Sequence, residues 1–311
     1  MLVLVSPAKT LDYESDLNFK DFSIAQHLAD SEILIRELQT KNPDDLSSLM
    51  GLSEKLSSLN FERNMNWIRP SKPGENVRQA IYAFKGDVYQ GLDAHSLSKA
   101  EINYAQKNLC ILSGLYGLLR PLDLMYPYRL EMGTKMQNER GKDLYEFWGS
   151  TITSTVNELA KDNNSKAIVN LAAVEYFSVL KKDKLNLPII NPVFKDYKNG
   201  KYKIISFFAK KARGSMTRFI VQNKIRTPRD LEDFDLDGYN YSESDSEENT
   251  PVFLRKNYTP TSPSRYFLLG NISSNSGSLF SAFALKATDI SSLIPTAVFH
   301  KAMWLRDSST V

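Results

Sequence analysis

The stretch from Leu109 to Met136, LCILSGLYGLLRPLDLMYPYRLEMGTKM, limits the fold more than any other part of the chain. Leu109 to Leu112 is a short apolar run stopped by Ser113 and Gly114, the pattern of a buried strand entering a tight turn. Gly114 and Gly117 flank Tyr116, so another group can approach the backbone closely there. Arg120, Pro121, Asp123, Pro127, Arg129, Glu131 and Lys135 follow, with Tyr126 and Tyr128 among them. Solvent loops rarely hold so much Leu, Tyr and Met, and surface strands rarely set prolines and glycines beside paired charges. The residues fit a buried or cleft-lining loop whose charges pair with one another or with a ligand. A purely structural ion-pair network is the competing reading, and on these residues alone the two stand level.

The remaining apolar runs suggest a sheet around this stretch. Met1 to Val5 reads as a central strand, Ala167 to Ala172 as a second, Pro188 to Phe194 as a third and Tyr202 to Phe208 as a fourth. Lys9 follows the first strand, where open α/β sheets gather ligands; Glu175 follows the second, where a carboxylate suits a general base, a metal ligand or, first of these, an ion-pair partner for an arginine. Helical periodicity runs over Ser23 to Thr40, Leu97 to Asn108 and Leu144 to Leu159. A short helix capped by Asp44 or Asp45 reaches Leu49, the turn Met50-Gly51-Leu52-Ser53 follows, and Glu54 to Asn60 is helical again. The expected architecture is α/β (mixed α+β): one compact domain over residues 1–255, with a mixed central sheet flanked by helices.

Charge is distributed unevenly. From Lys201 to Arg229 there are nine bases and no acid; from Asp230 to Glu248 there are nine acids and no base. Read as a helix, Ala209, Ala212, Met216, Phe219 and Ile220 share an apolar face, while Lys211, Ser215, Arg218 and Gln222 line a cationic one. Such a stripe suits the successive phosphates of a nucleic acid. The acidic segment brings the net charge of the chain down to +3. A sharper reading has it screening the basic helix until DNA displaces it.

Other chemistries find little support. The single cysteine, Cys110, lies in an apolar run, which favours a buried thiol and a reducing cytoplasm. His27, His95 and His300 have no metal-ligand spacing, and neither a Walker A loop nor a strand followed by GxGxxG occurs. No cofactor is expected, and no apolar run is long enough to span a bilayer.

Several segments together resemble the YaaA family of bacterial peroxide-stress proteins. They are SGLYGLLRPLDLMYPYRLEMGTK at 113–135, SPAKTLDY at 6–13, AIYAFKGDVYQGL at 80–92, LYEFW at 144–148, NLAAVEYF at 170–177, KIISFFAKKARGSMTRFI at 203–220 and FDLDGYNY at 234–241. The likeness runs in unbroken order over residues 1 to about 255. It implies a helix-hairpin-helix element at Gly51 and Ser53, DNA binding, and a part in limiting free iron and oxidative damage during the response to hydrogen peroxide. It also raises Lys9 to a site residue. Residues 256–311 have no counterpart in the family and, being rich in Ser and Thr, read as a disordered or weakly packed extension.

The combined expectation is a cytoplasmic monomer that grips double-stranded or branched DNA with little sequence preference. Lys210, Lys211, Arg213 and Arg218 would form one wall of a cationic cleft and Arg120 and Arg129 the other. Lys9, Lys85, Lys55 and Arg63 would add charge, and the Gly51–Ser53 hairpin a phosphate clamp. The alternative is a metal-dependent nucleic-acid-processing enzyme, phosphodiesterase or glycosylase-like, using Asp123, Glu131 and Glu175.

Overall fold

The apolar run at the start of the chain is the middle of the main sheet. In the computed structural model, which describes residues 1–256, five strands form that sheet. They are β1 (Leu2–Val5), β2 (Leu109–Ser113), β3 (Gly117–Leu119), β4 (Ile168–Leu171) and β5 (Ile189–Ile190), in the order β3-β2-β1-β4-β5. All neighbours pair in parallel except β3, which folds back on β2. Every residue of β1 and β2 is buried, which is why both read as continuous rather than alternating apolar runs.

A second sheet contains β6 (Val193–Lys198), β7 (Lys201–Lys203), β8 (Asn240–Tyr241) and β9 (Val252–Arg255), in the order β7-β6-β9-β8. Phe194, Phe219, Phe234, Tyr239 and Phe253 form an aromatic cluster beneath it. Among the described residues, seven helices of six residues or more surround the sheets: α1 (Leu28–Gln39), α2 (Pro43–Met50), α3 (Glu54–Met65), α4 (Asp87–Leu92), α5 (Lys99–Asn108), α6 (Thr151–Asp162) and α7 (Ser206–Asn223). Shorter helical turns connect them. The fold is a mixed α/β domain, and the main hydrophobic core is continuous across both sheets.

Several boundaries differ from the expected ones. The expected helix at Ser23 starts only at Leu28, because Ser23 bridges to the 122–124 segment: its N–H donates to the Leu122 carbonyl at 2.8 Å. α2 is capped by Asn42, not by Asp44 or Asp45; Asn42 accepts from the Asp45 N–H while the Asp45 carboxylate accepts from that of Asn42. The helix expected over Leu144 to Leu159 is broken at Gly149, where φ is +50°. The run Pro188 to Phe194 is shared between β5 and β6, which lie in different sheets. Ser206 to Phe208 belongs to α7 rather than to a strand. Residues 257–311, on which the expected loose extension falls, lie outside the described residues.

The stretch from Leu109 to Met136 is mostly buried, with Gly133 and Lys135 exposed. A Cβ on Gly114 would meet the Leu130 carbonyl oxygen at 2.3 Å, and one on Gly117 (φ +67°) would meet the Trp148 ring at 2.8 Å. The Tyr116 hydroxyl accepts from Trp67 Nε1 and from the Tyr126 N–H, each at 2.9 Å. Its charges pair internally: Arg129 with Glu131 at 2.9 Å and Arg120 with Asp123 at 3.4 Å.

Candidate functional site

Parallel strands deliver their carboxyl ends to one edge of a sheet, and here β1 and β4 do so side by side. Ser6 follows β1, and its hydroxyl accepts from the Ala173 N–H at 2.8 Å, tying the two exits together. The Tyr89 hydroxyl donates to the Ser6 carbonyl at 3.1 Å, bringing in α4. Thr10 pairs across a two-strand ribbon with Lys85, which brings Lys85 beside the loop holding Lys9. Gly86 permits this approach, since a Cβ there would lie 3.2 Å from that of Ala8. α7 contributes Lys210 and Arg213, three residues apart on one face.

These segments enclose a cavity of about 520 Å³. Four cations, Lys9, Lys85, Lys210 and Arg213, line it against two carboxylates, Asp87 and Glu175. Lys9 pairs with Glu131 at 2.8 Å, and Lys85 with Asp12 at 3.3 Å, yet both ammonium groups stay well exposed. Neither Lys210 nor Arg213 has an ion-pair partner among the described residues. Burial pulls the Arg213 guanidinium below its ordinary value, the mark of a charge held without a compensating acid. Glu175 is anchored by the Gly133 N–H, which donates to its Oε1 at 2.9 Å. A concave, mostly cationic site of this kind is suited to holding an anion.

The other expected residues are distributed as follows. Arg129 adjoins the cavity through Glu131, which it shares with Lys9. Arg63, on α3, lines a neighbouring depression with Tyr13 and Tyr126, and burial first, then the charge of Arg129, lowers its pKa. Arg120 sits beyond β3, which runs away from the carboxyl edge, and is held by Asp123. Lys211 pairs with Asp237 at 3.2 Å. Arg218 donates to the carbonyls of Leu92 and Asp93, each at 3.1 Å, and to Ser96 Oγ at 2.7 Å. The expected wall of α7 is therefore two faces: Lys210 and Arg213 meet the cavity, while Lys211 and Arg218 hold α4 and the 236–238 turn. Gly51 (φ +62°) ends α2 and Ser53 precedes α3 with no side-chain capping bond; Gly51, Ser53 and the exposed Lys55 do not line the cavity.

Asp123, Glu131 and Glu175 do not gather. Asp123 is buried against Arg120 and Ser23, Glu131 lies between Arg129 and Lys9, and only Glu175 lines the cavity. Among the described residues no group of three or more His, Cys, Asp or Glu could hold a metal ion. Nothing in the sequence marks Ser6 or Tyr89, because both act through tertiary bonds that leave no trace in spacing.

Comparison with known proteins agrees with this architecture's sequence signature. Residues 1–245 match the family described as peroxide stress protein YaaA. The chain belongs to that family. A UPF0246 protein of Aliivibrio fischeri is 55% identical over 256 residues, covering 82% of this chain and 98% of the relative. One from Alteromonas mediterranea is 54% identical over 255 residues, with the same coverage. Family membership carries with it a role in peroxide stress. Among the described residues, no helix is long and apolar enough to cross a membrane.

Proposed function

We propose that this chain acts in peroxide stress as a cytoplasmic, monomeric DNA-binding protein that holds the phosphate backbone at the carboxyl-edge cavity. The observation carrying this reading is the convergence of Lys9, Lys85, Lys210 and Arg213 from separate segments, two of them without acidic partners among the described residues. Contacts of that kind position a nucleic acid without reading its bases, so sequence preference is slight. Arg63 carries the positive surface onto α3, and the amides of the first turn of that helix, which no side chain caps, are available to a further phosphate in the manner of a helix-hairpin-helix. Glu54, in the first turn of α3, opposes that last contact and keeps it secondary.

The reading also gives iron a place. Ammonium and guanidinium groups that neutralise phosphates release the cations condensed on DNA. Ferrous ions displaced in this way would no longer generate oxidants at the backbone. The test is duplex affinity of the full chain by fluorescence anisotropy. Lys210→Gln with Arg213→Gln weakens binding equally on two duplexes of unrelated sequence; unchanged affinity overturns the reading.

A further inference from the structure

The hairpin of β6 and β7 has no role in the site described above, and its surface is unusual. Its turn, Asn199 and Gly200, has φ of +55° and +81°, the geometry of a tight two-residue hairpin. Tyr197 and Tyr202 are cross-strand partners with ring centroids 5.2 Å apart, and are 42% and 38% exposed. Ile204 and Phe207 follow at 60% and 54% exposed. Lys198, Lys201 and Lys203 alternate with the two tyrosines along the strands and so leave the hairpin on its other face, with no ion pair among the described residues; on the tyrosine side, Lys256 Nζ lies 5.8 Å from the centre of the Tyr197 ring. The one acid of the hairpin, Asp196, is buried against Arg255 at 2.6 Å and the Tyr239 hydroxyl at 3.0 Å, so the hairpin itself exposes no carboxylate. On α7, Phe207 and Lys210 are three residues apart and share a face, which carries the aromatic patch to the rim of the cavity.

We propose that this hairpin and the first turn of α7 bind single-stranded DNA, with unpaired bases stacking on Tyr197, Tyr202 and Phe207 and phosphates meeting Lys256 beside the rings and, around the sheet edge that β7 forms, Lys201 and Lys203. Flat rings bordered by lysines complement a polymer that offers π faces and negative charge together. Bases inside a duplex have no open face to offer. An acidic peptide would meet the lysines but would leave the rings unmatched. The inference rests on the DNA reading of the cavity for the identity of the polymer.

The experiment compares a labelled oligothymidylate, an oligouridylate and a blunt duplex by fluorescence anisotropy with the full chain. Tyr197→Ala with Tyr202→Ala lowers oligothymidylate affinity on the order of tenfold or more and leaves duplex affinity unchanged. Tyr197→Phe with Tyr202→Phe retains affinity, because stacking needs the ring and not the hydroxyl. Equal affinity of wild type and the alanine variant for oligothymidylate overturns the proposal while leaving the duplex reading intact. Loss of single-strand binding in the alanine variant, with duplex binding indifferent to Lys210→Gln and Arg213→Gln, supports the hairpin and removes the cavity reading. Tighter binding of oligouridylate, or a change in the sedimenting mass of the free protein in the alanine variant, overturns it in favour of RNA or of a second copy.

Discussion

Four cations on one cavity set a definite salt dependence for DNA binding. Each phosphate neutralised on duplex DNA contributes a slope of about −0.9 to log affinity against log salt, so four contacts give roughly −3.6. Between roughly 50 and 200 mM salt, these four contacts alone lower wild-type affinity about 150-fold. Lys210→Gln with Arg213→Gln leaves two contacts, a slope of about −1.8 and a fall of about 12-fold. Fluorescence anisotropy of a labelled duplex at several salt concentrations reads both slopes directly. Lys211→Gln and Arg218→Gln make the control, because these side chains face Asp237 and the end of α4 instead of the cavity. Arg218→Gln should cost about 1.5–3 kcal/mol of stability, as charged hydrogen bonds are lost, and leave the slope unmoved. Equal slopes in wild type and the Lys210, Arg213 variant would show that those two charges do not meet phosphate, and the cavity argument would fail.

Three further outcomes follow from the packing. Gly214→Ala puts a Cβ 1.8 Å from the Val88 carbonyl oxygen and 2.9 Å from the Leu92 N–H nitrogen, both backbone of α4. Forcing α4 and α7 apart costs about 3 kcal/mol against a helix-propensity gain of about 1, so chemical denaturation should register a net loss near ~2 kcal/mol; a stabilised variant refutes the close approach. Cys110 is fully buried, and burial raises its thiol to about 12, so peroxide should add no oxygen to it in the folded protein. Mass spectrometry detecting a sulfenic acid without unfolding would contradict this. Burial holds His27 below its ordinary value of 6.5, despite the nearby Asp30. The unfolded state then binds the proton more readily, so stability is full above that value and declines as pH falls through the folded one. His27→Gln should flatten this pH dependence in urea titrations; an unchanged profile sinks the assignment.

The strands of the main sheet were legible because β1, β2 and β4 are buried by neighbours on both sides, and burial writes itself as an apolar run. The apolar face of α7 was legible for the same reason: Ala209, Ala212, Met216, Phe219 and Ile220 are all buried. Lys9 and Glu175 could be placed at strand exits by position alone. Breaks that depend on one residue were not legible, such as Gly149 at φ +50° or the transfer of chain between sheets after Ile190.

Composition and local periodicity determined that this protein has a basic helix, a buried central loop and strands that end beside charged residues. Only the tertiary structure decided which of those charges remain available. Lys210 and Arg213 lie on the cavity, whereas Lys211 and Arg218, on the same helix, are held by Asp237 and the end of α4. The reason is physical: a side chain carries its charge wherever it sits, but whether that charge is neutralised depends on which distant segment packs against it. Here Gly214 and Gly91 allow α4 to come close enough to engage one face of α7 and leave the other open.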